Sequence, residues 1–311
     1  MNKKNISRYS KNIKKCFTLF LLLLIEVILY LNLGDDNQIK VCLCSPVKKE
    51  NLYLQEFVEY YKTFKVDNIF LYDNNDINGE YIDEVLNNSV KSGFVKIINF
   101  RGMKRALYDM MNHCYKTNYL NYDWLIFYEI DEYIFLNNYT NIKQYLNNDR
   151  FKECETIQLI WNMHTDNNQI YYENKPLKIR FPNSIKISTV KSILKGKIPN
   201  IVIRNVHKLN NNLKSCDGFG NRINNTRNIL DNLANNYYYI DHYYCKSTEE
   251  FIKKLNKGDV LHLQDNIFAR IKVYFRFNQV TKEKIDFIQK HINKNISFNF
   301  SKYLSKYQYF H

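Results

Sequence analysis

A chain of 311 residues and 37.6 kDa has room for one large α/β core or two modest domains, which excludes a peptide module and a long repeat array. Hydrophobic residues at 45% and aromatics at 15% exclude a disordered chain, while the over-use of asparagine, lysine, isoleucine and tyrosine is a compositional bias without functional content. Of the formal charge of +14, six positives fall in the first fifteen residues with no acid among them, which leaves +8 over the rest. The lysines there are scattered and no zinc-finger, RNP or basic-zipper spacing occurs, so no nucleic-acid partner is expected.

In chain order, a basic tail (1–15) precedes an apolar run, CFTLFLLLLIEVILYLNL from Cys16 to Leu33, broken only by Glu26. Its thirteen Leu, Ile, Phe and Val residues favour insertion by roughly 6 kcal/mol against roughly 3 kcal/mol for the one acid, so residues 16–34 are expected to enter a bilayer. A cleaved signal peptide is the alternative, but no small-x-small cleavage site follows. An uncleaved anchor with its basic side in the cytoplasm gives a single-pass type II membrane protein whose body is lumenal, in the Golgi or endoplasmic reticulum of a eukaryotic host. Sequons at Asn87, Asn138, Asn224, Asn295 and Asn299 are compatible with that compartment.

After a short stem (35–38), strands at 39–45, 68–72, 94–100 and 122–128 alternate with helical patterns at 50–64, 81–91 and 104–119. This is the signature of βαβ units and predicts an α/β fold with a mostly parallel sheet flanked by helices. In such sheets the ligand crevice lies beyond the carboxyl ends of the strands. Shorter strands are expected at 156–161, 185–190, 201–206 and 237–243, with an Asn-rich loop at 210–236, a helix at 248–256 and a last amphipathic helix at 282–293. One domain (39–265) and a helical C-terminal extension (266–311) follow from this pattern. The seven cysteines are too few and too unevenly spaced for a disulfide framework or a zinc site, and Cys42 and Cys44 read as buried small hydrophobes.

The feature that asks for chemistry is DWLIFYEIDEYIF at 123–135, an apolar strand ending in Glu129, Asp131 and Glu132. In extended backbone Glu129 and Asp131 point to one side, where two carboxylates can share a hard divalent cation and a diphosphate. The structural alternatives are a solvated strand end for Asp131 and a turn partner for Glu132.

With this segment the chain resembles glycosyltransferase family 92 and its relatives, within the GT-A class. The stretch EFVEYYKTFKVDNIFLYDNN (56–75) is similar to the family's first half-sheet. NHC (112–114) with EIDEY (129–133) resembles its central helix and Asp-x-Asp-Glu-Phe motif. KSI (191–193), His207 and DHYYCKSTEEF (241–251) resemble its later segments.

The resemblance implies a GT-A-like transferase that uses a UDP-hexose donor with Mn²⁺ or Mg²⁺, inverts the anomeric centre, and acts on a glycan or glycoconjugate acceptor. It makes Asp131 a metal ligand and puts Glu129 in the first acidic position, where the family has Asp. His242 is the candidate third ligand, since a neutral imidazole suits a borderline cation. Lys246 is expected to offset charge on the leaving diphosphate, and Asp73 to hold the uridine or ribose unless it only caps an Asx-turn into Asn74 and Asn75. Asp217, Asp166 and His207 are candidates for the base, Asp217 first, and Trp161 for stacking on an acceptor sugar. Ser247 and Glu250 form an expected capping box. A membrane-tethered carbohydrate-binding or scaffolding protein on the same fold, without catalysis, is the rival reading.

Overall fold

A computed structural model describes residues 39–205, 207, 212–223, 233–256 and 267–292. The membrane-anchor segment lies outside these residues; among the described residues no helix is long and apolar enough to cross a membrane. The sequons at Asn224, Asn295 and Asn299 also lie outside.

The first half follows the alternation of the sequence. Strand β1 (Val41–Val47) leads to α1 (Asn51–Thr63), β2 (Asn68–Asp73), α2 (Asp83–Lys91), β3 (Val95–Asn99), α3 (Leu107–Asn118) and β4 (Trp124–Phe127). The four strands are parallel in the order β3-β2-β1-β4. Every residue of β4 and nearly every one of β1 is buried, as continuous apolar runs covered on both faces require. The chain builds outward from β1 to β3 and returns to place β4 on the other side of β1. The strand order therefore reverses between β1 and β4, and the loops that follow these two strands flank the crevice.

The second half departs from an all-parallel sheet. Strand β5 (Glu132–Leu136), α4 (Ile142–Leu146), β6 (Thr156–His164), α5 (Leu177–Arg180), β7 (Ser184–Lys195), β8 (Ser215–Cys216) and β9 (Tyr238–His242) extend the order through β4-β7-β6-β9-β5. Here β4/β7, β6/β7 and β5/β9 are antiparallel, while β6/β9 and β6/β8 are parallel. The strand expected at 201–206 does not form over its described residues, 201–205. The Asn112 side chain accepts from Ile203 N and donates to Ile203 O, at 2.7 and 2.9 Å, and so supplies the partners a neighbouring strand would have given.

Helices α6 (Thr248–Asn256), α7 (Ile267–Phe277) and α8 (Lys282–His291) close the fold. They share one apolar cluster containing Phe251, Leu255, Ile271, Tyr274, Ile285 and Ile288. The capping box of α6 forms as expected, with Ser247 N donating to Glu250 Oε2 and Glu250 N to Ser247 Oγ.

The cysteine reading needs correction. Cys44 is joined to Cys114 and Cys154 to Cys216, across sequence separations of 70 and 62 residues. The first bridge pins α3 to β1 inside the apolar cluster that also holds Phe70, Tyr72 and Met110, and the second ties β8 to the turn before β6. Loops of this length stabilise by about 4 kcal/mol each on a chain-entropy account. Cys42 does remain a free, buried cysteine.

Candidate functional site

Strand β4 stops at Phe127, and residues 129–132 form a turn closed by Glu132 N donating to Glu129 O at 3.0 Å. The backbone is thus not extended between Glu129 and Asp131, and their side chains part. Glu129 turns toward β7, where Lys191 Nζ meets its Oε1 at 2.8 Å; the same ammonium lies 3.3 Å from Glu132 Oε2, which also accepts from Glu129 N. Asp131 turns toward β9 and α6. Its Oδ2 meets Lys254 Nζ at 2.7 Å, and its Oδ1 lies 3.4 Å from His242 Nε2.

Pairing between β5 and β9 explains the second arrangement. Glu132 is in register with His242, and Tyr243 N donates to Asp131 O, so the turn after β4 and the end of β9 are locked side by side. His242 Nε2 and Asp131 Oδ1 are both buried and neither makes a hydrogen bond. The imidazole is held between two aromatic rings, tilted against Trp161 at 4.2 Å and edge-on to Tyr244 at 5.7 Å between ring centroids.

The charges of the cluster follow from these contacts. Burial works to raise the Asp131 carboxyl, but Lys254 and then His242 outweigh it and hold the group well below the usual carboxylate range. Burial acts the same way on Glu129, and Lys191 overrides it to leave the group at about 2. For Glu132 burial wins over Lys191 and its pKa is raised. Both lysines stay charged, because their carboxylate partners more than offset desolvation.

A metal fits part of this arrangement. Among the described residues no group of three or more His, Cys, Asp or Glu side chains converges on one point, so the expected trio of Glu129, Asp131 and His242 does not assemble. Glu129 drops out because Lys191 holds it. Asp131 Oδ1 and His242 Nε2 remain as two buried donor atoms without hydrogen bonds, 3.4 Å apart, a hard and a borderline ligand of the kinds that Mn²⁺ or Mg²⁺ accepts.

Trp161 carries the site to a second histidine. The register between β6 and β7 shifts at Ile160/Trp161, and such irregularities re-aim side chains. The Trp161 ring lies against both His242 and His207, the latter at 5.2 Å. His207 Nδ1 bonds the Val190 carbonyl at 3.0 Å, which requires the proton on Nδ1 and leaves the lone pair on Nε2. Burial and the nearby Lys191 lower its pKa.

The other expected residues are used differently. Asp73 Oδ2 binds Arg101 at 2.7 Å and its Oδ1 accepts from Asn75 N and Nδ2; Arg101 in turn holds the carbonyls of Asp76, Gly79 and Glu80. Asp73 thus forms the Asx-turn into Asn74 and Asn75. Asp217 is buried and caps its own turn through Phe219 N and Asn221 N, and that turn packs so tightly that a Cβ on Gly218 would strike the Tyr238 ring. Asp166 Oδ2 pairs with buried Lys284 at 2.7 Å and accepts from Tyr274 OH, binding α7 and α8 to the sheet.

Lys246 has a left-handed backbone (φ 50°), and its ammonium lies 3.6 Å from Glu50 and 3.5 Å above the Tyr53 ring. It borders a cleft of about 510 Å³ between the loop after β1 and the start of α6, with Lys49, Lys253, Lys254, Glu50 and Tyr53. Lys254 and the role of Lys191 were missed from sequence. Lys254 stands four residues after Glu250, the spacing of a surface ion pair, but Glu250 instead takes Arg180, Ser247 and Tyr53 while Lys254 turns inward.

The sequence profile of glycosyltransferase family 92 matches residues 37–296. No curated protein matches closely enough to count as a relative. Solved structures similar to the chain include S. aureus TarS 1–349 in complex with UDP, at 11% identity, covering 86% of this chain and 75% of that one with a TM-score of 0.39. They also include the same fragment in complex with UDP-GlcNAc, at 14% identity, covering 77% and 71% with a TM-score of 0.39.

Proposed function

We propose, from the premise that this chain belongs to glycosyltransferase family 92, that it transfers a hexose from a UDP-sugar to a glycan or glycoconjugate acceptor, with inversion, in a GT-A-type crevice. The observation that carries this reading is the buried Asp131 Oδ1 and His242 Nε2 pair at the switch between β1 and β4, facing each other without hydrogen bonds beside a lysine-lined cleft. When bound there, Mn²⁺ or Mg²⁺ supplies Lewis-acid charge for a diphosphate leaving group.

The chain's own residues account for the rest. Lys246 and Lys254 give the cleft positive charge for the two phosphates, worth more there than in water. Lys191 holds Glu129 and Glu132 in place, so in this reading the first acidic position orients the turn. Trp161 presents its ring between the two histidines, where it can restrict how an acceptor sugar approaches. His207, its Nδ1 committed to Val190 O, keeps Nε2 available to take the acceptor hydroxyl's proton. The two disulfides support an oxidising, lumenal compartment for the body, in keeping with a type II anchor at residues 16–34.

The deciding experiment is calorimetry of UDP with and without Mn²⁺, alongside transfer from UDP-hexoses. Metal-dependent UDP binding that disappears in Asp131→Asn, together with loss of transfer, is the expected result. Glycan binding indifferent to that substitution, with no UDP binding by the folded wild type, would favour the non-catalytic rival.

A further inference from the structure

The two oxygens of Asp131 have different partners. Oδ2 holds the Lys254 ammonium at 2.7 Å, while Oδ1 has no hydrogen bond and faces the unbonded His242 Nε2 at 3.4 Å. Lys254 also belongs to the cleft: it lines that space with Lys49, Lys246 and Lys253, and its ammonium lies 4.1 Å from the centre of the Tyr244 ring. One carboxylate thus holds a lysine ammonium on one oxygen, while its other, buried oxygen faces an imidazole nitrogen, the pair that a second cation would have to meet. Two cations on one carboxylate repel each other, and an anion reaching both removes the conflict.

Lys254 is suited to move where Lys191 is not. Lys191 bridges two carboxylates and is almost completely covered, whereas Lys254 holds a single carboxylate oxygen and is partly exposed to the cleft. Its flexible four-carbon stem rises from the last turn of α6, and the Tyr244 face can keep the ammonium company in either position.

Resting on the donor-site reading above, we propose that Lys254 is an exchangeable counter-ion: it neutralises Asp131 before the donor binds, weakens the binding of a divalent cation alone, and turns to the donor's diphosphate when cation and nucleotide enter together. The consequence is enforced coupling. The cation binds poorly without the nucleotide, so the nucleotide sugar sets when the site becomes charged for reaction.

The test uses the full-length chain, with Mn²⁺ uptake read from loss of the free-ion paramagnetic resonance signal and UDP binding read by calorimetry. Lys254→Gln is expected to bind Mn²⁺ alone about tenfold more tightly and, with Mn²⁺ present, to bind UDP about tenfold more weakly. Opposite shifts are diagnostic, because a damaged fold weakens both. Lys254→Arg keeps the charge and is expected to bind Mn²⁺ alone as weakly as wild type. Lys254→Met keeps the stem packed on Tyr244 and gives the same reading if the glutamine variant does not fold. A wild type that binds both ligands, with a neutral variant whose Mn²⁺ affinity is unchanged or lower, or whose UDP affinity is unchanged, overturns the role of Lys254 and leaves the donor site standing. A folded wild type that binds neither Mn²⁺ nor UDP removes the donor site itself, and this proposal with it.

Discussion

Lys191 sends its ammonium from β7 to Glu129 Oε1 at 2.8 Å, and the lysine side chain is only 2% exposed whereas that of Glu129 is 41% exposed. The two partners of this bond are therefore unequal. Removing the buried cation strands Glu132, which has no exposure at all, while removing the half-exposed anion leaves Lys191 still bound to Glu132 at 3.3 Å. Lys191→Met is expected to cost about 3–5 kcal/mol of stability, the usual result of breaking a buried pair from one side. Glu129→Gln is expected to cost no more than about 1 kcal/mol. Urea unfolding of both variants measures the difference, and equal losses would contradict this account of the acidic turn.

His207 is the base in the reading proposed above, and its protonation state is set by its surroundings. Burial and Lys191 lower its pKa from the ordinary 6.5, so Nε2 keeps its lone pair across the neutral range and loses it only under more acidic conditions. The acid limb of kcat/KM is expected to lie below pH 6.5. His207→Gln should lower kcat by about 10²–10⁴ with donor binding retained and the limb abolished. An acid limb that persists in that variant would assign the base elsewhere.

Legibility in the sequence tracks how local the determining forces are. The half-sheet from β1 to β4 was readable because its apolar runs and the helices between them are each set by their own periodicity, and Thr248–Asn256 was readable down to its cap. Strand β8 has two residues and α5 four, too few to show any period. The stretch 201–205 carries a strand-like composition, yet its backbone is satisfied by Asn112, ninety-one residues away from Ile203. Disulfide pairing across 62 and 70 residues has no local signature either. In the site, Asp131, His242, His207 and Trp161 stood out as residue types, but which carboxylate faces the imidazole depends on the turn at 129–132 and on the β5/β9 register, both tertiary outcomes.

Asp166 separates a structural acid from a catalytic one. It is 1% exposed and pairs with Lys284, itself 1% exposed, under the Tyr274 hydroxyl. Asp166→Asn leaves a lysine buried without its anion and is expected to cost about 3–5 kcal/mol. Its kcat at a temperature where the variant remains folded should stay within a few-fold of wild type. A kcat loss of two orders of magnitude in a fully folded variant would return Asp166 to the chemistry.

The buried phenols set the alkaline limit of the fold. Burial pushes Tyr61, Tyr128 and Tyr133 well above the ordinary value of 10, and Tyr115 and Tyr122 up to about 12. In the unfolded chain these groups lose their protons near pH 10, so above that point the unfolded state binds fewer protons than the native one. Their contribution is fully present below about pH 10 and is lost as pH rises toward the native values, at about 1.4 kcal/mol per group for each unit of pH. Cys245, raised by burial to about 12, adds a loss of the same sign that begins near its unfolded value of about 8.5. Phenolate absorbance followed together with far-ultraviolet circular dichroism is expected to show the buried class appearing only as helix and strand signals collapse. Titration of every tyrosine near pH 10 with the dichroism unchanged would mean that these phenols are open to solvent, contrary to the burial of Tyr61, Tyr128 and Tyr133.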